Sequence, residues 1–278
     1  MRKFRYSPGI IVLYLVLSAI SLLWVYPFGW MLSASFKSNN EIIASGLNLI
    51  PQEPRFENYV KTWGQARFGQ YFLNSVTVTF FSVLLVVTMT TLSGYVLGRY
   101  RFIGKQAALS IFIASITIPL VSTIIPVFQI IKSLGLLGKL SGLIIAQAGG
   151  THVVFIMLFS SYYRQIPKEL EEASVIDGCN FVNTFARIML PLAKPMILTT
   201  AIMESIWTWN SFLLPLVLTL NYPKARTLAV GLYAFRGENI VDWGAIASGG
   251  VIAVFPIIIG FIFCQKYFVN GIAGAVKS

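Results

Sequence analysis

Six long apolar stretches, parted by charged segments, set the pattern of this chain. Tyr6–Phe36, Phe68–Gly98, Gln106–Ile131, Leu140–Tyr163 and Trp243–Gln265 contain no Asp, Glu, Lys or Arg, and Pro195–Leu220 contains one acid, Glu204. Each is longer than the roughly 20 residues a helix needs to cross the hydrocarbon core. Membrane-spanning strands would need only about 10 residues each, with period-two alternation. The pattern therefore predicts six transmembrane helices over about 10–33, 72–97, 107–131, 141–162, 196–219 and 244–265, in one all-α integral membrane domain covering 1–278. Pro119, Pro126, Pro215 and Pro256 fall inside these stretches. Such positions are tolerated where neighbours or a water-filled path satisfy the freed backbone groups, so kinked helices around a cavity are expected, with plain packing as the alternative.

Composition agrees and removes other classes. Of the 278 residues 56% are hydrophobic and 11% charged, against about 25% charged in soluble domains, which excludes an ordinary soluble enzyme. The formal charge of +11 would suggest nucleic acid in a polar chain, but here the basic residues occupy turns between spans and record topology. Arg2, Lys3 and Arg5 precede the first stretch, and Arg99, Arg101 and Lys105 fill the second turn without acids. Both segments are placed inside, so the N- and C-termini are cytoplasmic and residues 37–67 and 221–242 face outward. The first stretch is too long for the apolar part of a secretory signal and is read as an uncleaved span. Cys179 and Cys264 then face the reducing side, and no disulfide is expected.

The cytoplasmic segment 164–195 carries the chemistry. Pro167 suits a first helical position, Glu169, Glu171 and Glu172 suit the positive end of a helix, and Gly178 suits its C-terminal cap. A short helix is predicted over about Lys168–Asp177. Beyond it, Phe181, Phe185, Ile188 and Met189 form one apolar stripe at helical spacing, which Pro191 is expected to stop. A helix resting in the headgroup layer is usually rich in Lys and Arg. This one is acidic, which favours docking on a protein over lying on anionic lipid.

These residues carry a resemblance. Glu172-Ala173-Ser174, then Asp177-Gly178, then Ile188 with Leu190-Pro191 resembles the EAA loop of ABC importer permeases, with Ser174 at the third motif position and Cys179 after the glycine as departures. Asn74-Ser75, Gly94-Tyr95, Gly135-Leu136-Leu137, Trp209-Asn210-Ser211-Phe212 and the ending Gly271–Lys277 are similar to the second, shorter permease subunit of maltose-type sugar importers. The resemblance covers nearly the whole chain. It implies a bacterial or archaeal cytoplasmic membrane protein working with a second homologous permease, an ATPase subunit dimer and an extracytoplasmic sugar-binding protein. It also implies a cytoplasmic coupling helix between spans 4 and 5, seated in a cleft of the ATPase, with Glu171, Glu172, Ala173, Ser174, Asp177 and Gly178 as the coupling residues. Neither Gly104-Lys105 nor Gly138-Lys139 has the glycine a phosphate-binding loop requires. ATP and Mg are therefore expected in the partner ATPase subunits, no cofactor on this chain, and no nucleic acid partner.

Glu204 is the only acid in a span and is a functional candidate by position. No basic residue of the spans is expected to pair with it. It is read as a protonated group, a hydrated pathway group, a group paired with the sister permease, or a structural one. Trp207 shares its face at i+3 and Ser211 at i+7, whereas Trp209 points elsewhere and is read as packing. With Asn210, these make Glu204, Trp207, Asn210 and Ser211 the translocation-pathway candidates. His152 is the sole histidine and is read as a core hydrogen-bonding group, since no further ligand stands at metal spacing. No acid–base pair or nucleophile points to an enzyme. The rival reading is an ion-coupled secondary carrier using Glu204, for which the expected internal repeat is absent from the sequence. A di- or oligosaccharide is the first expectation for the cargo, with monosaccharide, polyol, sugar acid or glycerol phosphate open. The outer segments are expected to seat the binding protein or to serve as solvated linkers. The tail 271–278 is expected to reach toward the ATPase or to be disordered.

Overall fold

The computed structural model describes residues 8–44, 46–65, 67–150, 152–233, 235–236 and 241–276, with backbone alone for Gln65 and for 263–276. Arg2, Lys3 and Arg5, on which the expected orientation partly rests, lie outside the described residues, as do Lys277 and Ser278. In chain order the helices are α1 (Pro8–Ala34), α2 (Asn39–Ala44), α3 (Glu57–Gln65), α4 (Phe68–Arg99), α5 (Lys105–Ile116), α6 (Leu120–Ser133), α7 (Leu140–Ala148) and α8 (Val153–Gln165). They continue with α9 (Glu169–Ile176), α10 (Phe181–Thr184), a π turn (Phe185–Met189), α11 (Leu190–Leu192), α12 (Lys194–Asn210), α13 (Leu213–Thr219), a 3₁₀ turn (Pro223–Ala225), α14 (Leu228–Tyr233) and α15 (Trp243–Val276). No strand occurs among the described residues.

Among the described residues three helices are by themselves long and apolar enough to cross a membrane: α1, α4 and the Trp243–Ile262 part of α15. α1 exposes apolar side chains along almost its whole length, as a helix bathed in lipid does. The remaining apolar stretches are not single straight rods. The expected third span, 107–131, is α5 and α6 meeting at 108°. Pro119 supplies the break: it has no N–H to continue the ladder and pushes Ile118 out of the helical region. The expected fourth span, 141–162, is divided between α7 and α8 around Gly149 and Gly150. The expected fifth, 196–219, is α12 and α13, separated where Ser211 turns extended at ψ 125. The expected sixth, 244–265, continues as helix to Val276, through Pro256 and most of the expected tail.

Two compact units are distinguished, Met1–Gly69 with Gly231–Pro256, and Gln70–Val230 with Ile257–Ser278. In the first, Ala34, Ile42 and Ala247 form a small core flanked by Trp30. Asn58 Nδ2 donates to the carbonyls of Ser35 and Lys37, both at 2.9 Å, Thr62 and Ser248 share a buried hydroxyl pair at 2.7 Å, and Lys61 pairs with Asp242. In the second, Tyr95, Phe159, Tyr163, Met189 and Ala193 form a cluster that joins α4, α8 and the segment before α12. α4 and α8 approach closely because Gly94 and Gly98 face α8. A Cβ at Gly94 would lie 2.3 Å from Phe159 Cβ, and one at Gly98 2.8 Å from the Ser160 carbonyl oxygen.

Candidate functional site

The 164–195 segment is a pair of helices on an internal anchor. α9 carries Glu169, Glu171 and Glu172 in its first turn, where the unpaired N–H groups favour negative charge. It ends in a Schellman motif: Gly178 N donates to the Val175 carbonyl at 3.0 Å and Cys179 N to that of Ser174 at 2.9 Å. Gly178 has φ 81, the left-handed region glycine enters at no steric cost. Asn180 then caps the next helix, its Oδ1 accepting from Asn183 N at 2.9 Å.

Of the predicted stripe, Phe185, Ile188 and Met189 pack inward, whereas Phe181 at its start stays 42% exposed. Phe181 and Phe185 stand 5.5 and 5.2 Å, centroid to centroid, from the Tyr95 ring of α4, and Met189 is fully buried. The expected stop at Pro191 is corrected. The chain stays helical through Leu192, because the π turn resets the hydrogen-bond register and Pro191 falls in the first turn of α11, where its missing N–H is tolerated. The direction changes at Ala193, with 76° between 181–192 and α12.

The six expected coupling residues divide into two sets. Glu172, Ala173, Asp177 and Gly178 are exposed. Glu171 turns inward instead: its Oε2 accepts from Arg99 Nε at 2.6 Å, with the Arg99 side chain 4% exposed. Arg99 also donates to the carbonyls of Tyr163 and Ile166, at 3.2 and 2.8 Å, and so ties the ends of α4 and α8 to α9. Ser174 is buried and shares a hydroxyl pair with Thr184 at 2.9 Å, clamping α9 to α10. The sequence reading missed Arg99 as an anchor, having counted it only as a topology charge. Its place at the end of a span, with three acids clustered at Glu169, Glu171 and Glu172 of the same cytoplasmic face, was the available signal.

Beside the acids α9 shows apolar side chains outward. Val175 is 66% and Ile176 86% exposed. A rigid surface combining carboxylates with unburied aliphatic groups suits a protein groove better than a solvated turn.

The second candidate group lies along α12. Glu204 is 2% exposed; its Oε1 accepts from Thr208 at 2.8 Å and its Oε2 lies 3.3 Å from His152 Nδ1. The expectation that Glu204 lacks a basic partner in the spans is corrected: the break between α7 and α8 brings His152 to it. His152 Nε2 in turn meets the Gln147 carbonyl at 3.1 Å. Trp207 is half-exposed and stacks on Phe155 at 5.1 Å. Trp209 meets Phe72 edge-on at 5.8 Å. Asn210 is exposed, with Nδ2 donating to the Ile206 carbonyl at 2.8 Å, and Ser211 is half-buried at the end of the helix. Thus Trp207, Asn210 and Ser211 remain reachable, whereas Glu204 is enclosed. Among the described residues no group of three or more His, Cys, Asp or Glu could hold a metal ion.

Helices of this length and apolarity, with an anchored polar helix pair between them, define a multi-pass all-α membrane protein. The chain belongs to the family of binding-protein-dependent transport system inner membrane components, which it matches over residues 91–274. It is similar to the probable ABC transporter permease protein YurM of Bacillus subtilis, with 36% identity over 268 residues covering 96% of this chain and 87% of that protein. It is likewise similar to the diacetylchitobiose uptake system permease protein NgcG of Streptomyces coelicolor, with 35% identity covering 93% and 86%. In fold it is similar to a chain of a bacterial ABC transporter involved in import of the acidic polysaccharide alginate, with TM-score 0.82, 23% identity and 96% and 99% coverage.

Proposed function

We propose that this chain is a transmembrane permease subunit of a binding-protein-dependent ABC importer for a sugar, with a di- or oligosaccharide as cargo, in a bacterial or archaeal cytoplasmic membrane. It works as six spans with both termini cytoplasmic, α7 with α8 forming the fourth and α12 with α13 the fifth. Its partners are a second homologous permease, an ATPase subunit dimer that binds ATP and Mg, and an extracytoplasmic sugar-binding protein. The sugar assignment rests on the uptake of diacetylchitobiose named for the relative NgcG and on the sugar-importer motifs of the sequence.

The observation that carries the coupling role is the anchored 164–195 segment. Glu172, Ala173, Val175, Ile176 and Asp177 face outward, while Arg99 and Tyr95 of α4 hold the other side to the transmembrane helices and the Ser174–Thr184 pair holds α9 to α10. A force applied by a closing ATPase dimer at the outward face therefore reaches α4 and α8 through Arg99 without first bending the loop. Nucleotide on one side and loaded binding protein on the other bias the same two-state equilibrium. Along the path, the half-exposed Trp207 offers an aromatic face to the apolar side of a sugar ring, and Asn210 and Ser211 offer hydrogen-bonding groups. Irregular backbone at Ser211 is tolerated at membrane depth where it lines a cavity. Glu204, bonded to Thr208 and facing His152, positions this stretch of α12.

The test is reconstitution with the partner subunits. Sugar uptake in vesicles should require ATP and binding protein and should persist when ion gradients are collapsed. Uptake that follows an imposed proton or sodium gradient without ATP would overturn the assignment in favour of an ion-coupled carrier.

A further inference from the structure

The segment after α2 shows an arrangement that none of the transport roles uses. Three successive carbonyls each accept a hydrogen bond from a side chain on, or just past, one face of α1. Trp30 Nε1 donates to Gly46 O at 2.9 Å, the Tyr26 hydroxyl to Leu47 O, and Lys37 Nζ to Asn48 O. The spacing explains two of the three: Tyr26 and Trp30 are four residues apart and share one face of α1, and Lys37 reaches back from the turn that follows Ala34. A polar loop in water has no need of such provision, because solvent satisfies its carbonyls. Irregular backbone at membrane depth must be satisfied by protein.

The side chains of this segment point the same way. Ile43, Leu47 and Ile50 are 72%, 75% and 74% exposed, and no charged residue lies between Ile42 and Pro51. The depth can be placed from α1. A helix of 27 residues is about 40 Å long, some 10 Å more than the hydrocarbon core, so a span that enters near Pro8 leaves the core near Phe28. Leu47 is held at the level of Tyr26, about two turns before the end of α1, and Tyr26 and Trp30 are the residue types that favour the headgroup level. α1 itself presents an uninterrupted apolar surface with none of its most apolar window buried, and the loop continues that surface.

We infer that the end of α2 at Ile43 and the loop 46–50 form an interfacial element whose Ile43, Leu47 and Ile50 side chains insert into the acyl–headgroup boundary of the lipid leaflet at the C-terminal end of α1. The loop fixes the depth of α1 by adding buried apolar area at one level. Its charged successors, Glu53 and Arg55, stay in the aqueous layer.

The test uses the assembled complex in lipid nanodiscs, with Cys179 and Cys264 replaced by Ser and single cysteines, Leu47→Cys, Ile50→Cys and Glu53→Cys, carrying a fluorescent label. Lipids bearing a nitroxide high on the acyl chain should quench the labels at 47 and 50 at least about twofold more than the label at 53, and a water-soluble quencher should show the reverse order. Equal aqueous quenching at all three positions would overturn the inference and make the segment a solvated or binding-protein surface. Protection of 47 and 50 from both quenchers would also overturn it, placing the sister permease there.

Discussion

At Gly178 the left-handed φ of 81 makes any side chain costly, yet nothing lies within 4 Å of the position a Cβ would take. Strain in the backbone, not collision, therefore ranks the substitutions. Gly178→Val should cost about 1–2 kcal/mol locally and Gly178→Asn much less, because Asn visits this region readily. In the reconstituted complex, uptake and binding-protein-stimulated ATP hydrolysis should fall further for Val than for Asn, with membrane insertion unchanged. Glu172→Ala should weaken ATPase association without altering the fold, since its side chain is exposed, and co-purification with the ATPase measures it. Glu204 behaves differently. Glu204→Gln keeps an acceptor for Thr208 and a partner for His152, whereas Glu204→Ala orphans both and should cost about 1–3 kcal/mol. Thermal unfolding of the complex should rank them in that order.

Among elements, the joint between α4, α8 and α9 decides whether the cytoplasmic helix pair is a lever or a flexible loop. Arg99 serves three elements at once. Arg99→Ala leaves Glu171 half-buried without its counter-ion, a loss of order ~3 kcal/mol at the joint. The expected outcome is a complex that assembles and hydrolyses ATP but in which hydrolysis no longer responds to binding protein. Unchanged stimulation in the Arg99→Ala complex would mean that force travels by another route. Gly94→Leu tests the helix contact itself. With a Cβ already 2.3 Å from that of Phe159, α4 and α8 must separate, and thermal stability should drop before any effect on ATPase docking is read.

For the whole molecule, the proposed assembly predicts that this permease reconstituted alone shows no saturable sugar uptake, since the motor and half the path are missing. A pH expectation belongs here too, because it concerns how the outer segments hold. Burial pushes the Asp242 carboxyl up, but the Lys61 ammonium, the Ala245 N–H and the Asn39 side chain outweigh it and hold the group below the usual carboxylate range. A carboxyl depressed on folding lends stability that is present above its unfolded value of about 3.9 and is lost as pH falls through the lower, folded value. The protection of the α3 amides relative to their intrinsic exchange rate at each pH should therefore be unchanged between pH 7 and about 5 and should fall only in stronger acid; Asp242→Asn should lower that protection already at neutral pH.

The apolar runs, the acidic first turn of α9 and the glycine at its end were determined by the sequence itself. Lipid demands long uninterrupted apolar helices, and caps and helix-end charges act within a few residues, so both signals are local. The aromatic stripe at Phe181 and Phe185 was legible for the same reason. What only the tertiary structure decided was where each local element bends and what it meets. Arg99 and Glu171 are 72 residues apart in the chain, and His152 reaches Glu204 only because α7 ends at Ala148 and α8 starts in a new direction at Val153. No periodicity encodes such pairs, since a charge near a membrane reads equally as topology or as anchor until its partner is placed. The division of Glu171 and Ser174 from Glu172 and Asp177 was hidden likewise: all four lie on one short helix or at its C-cap, and the packing of α10 and α4 against one side chose which of them faces in.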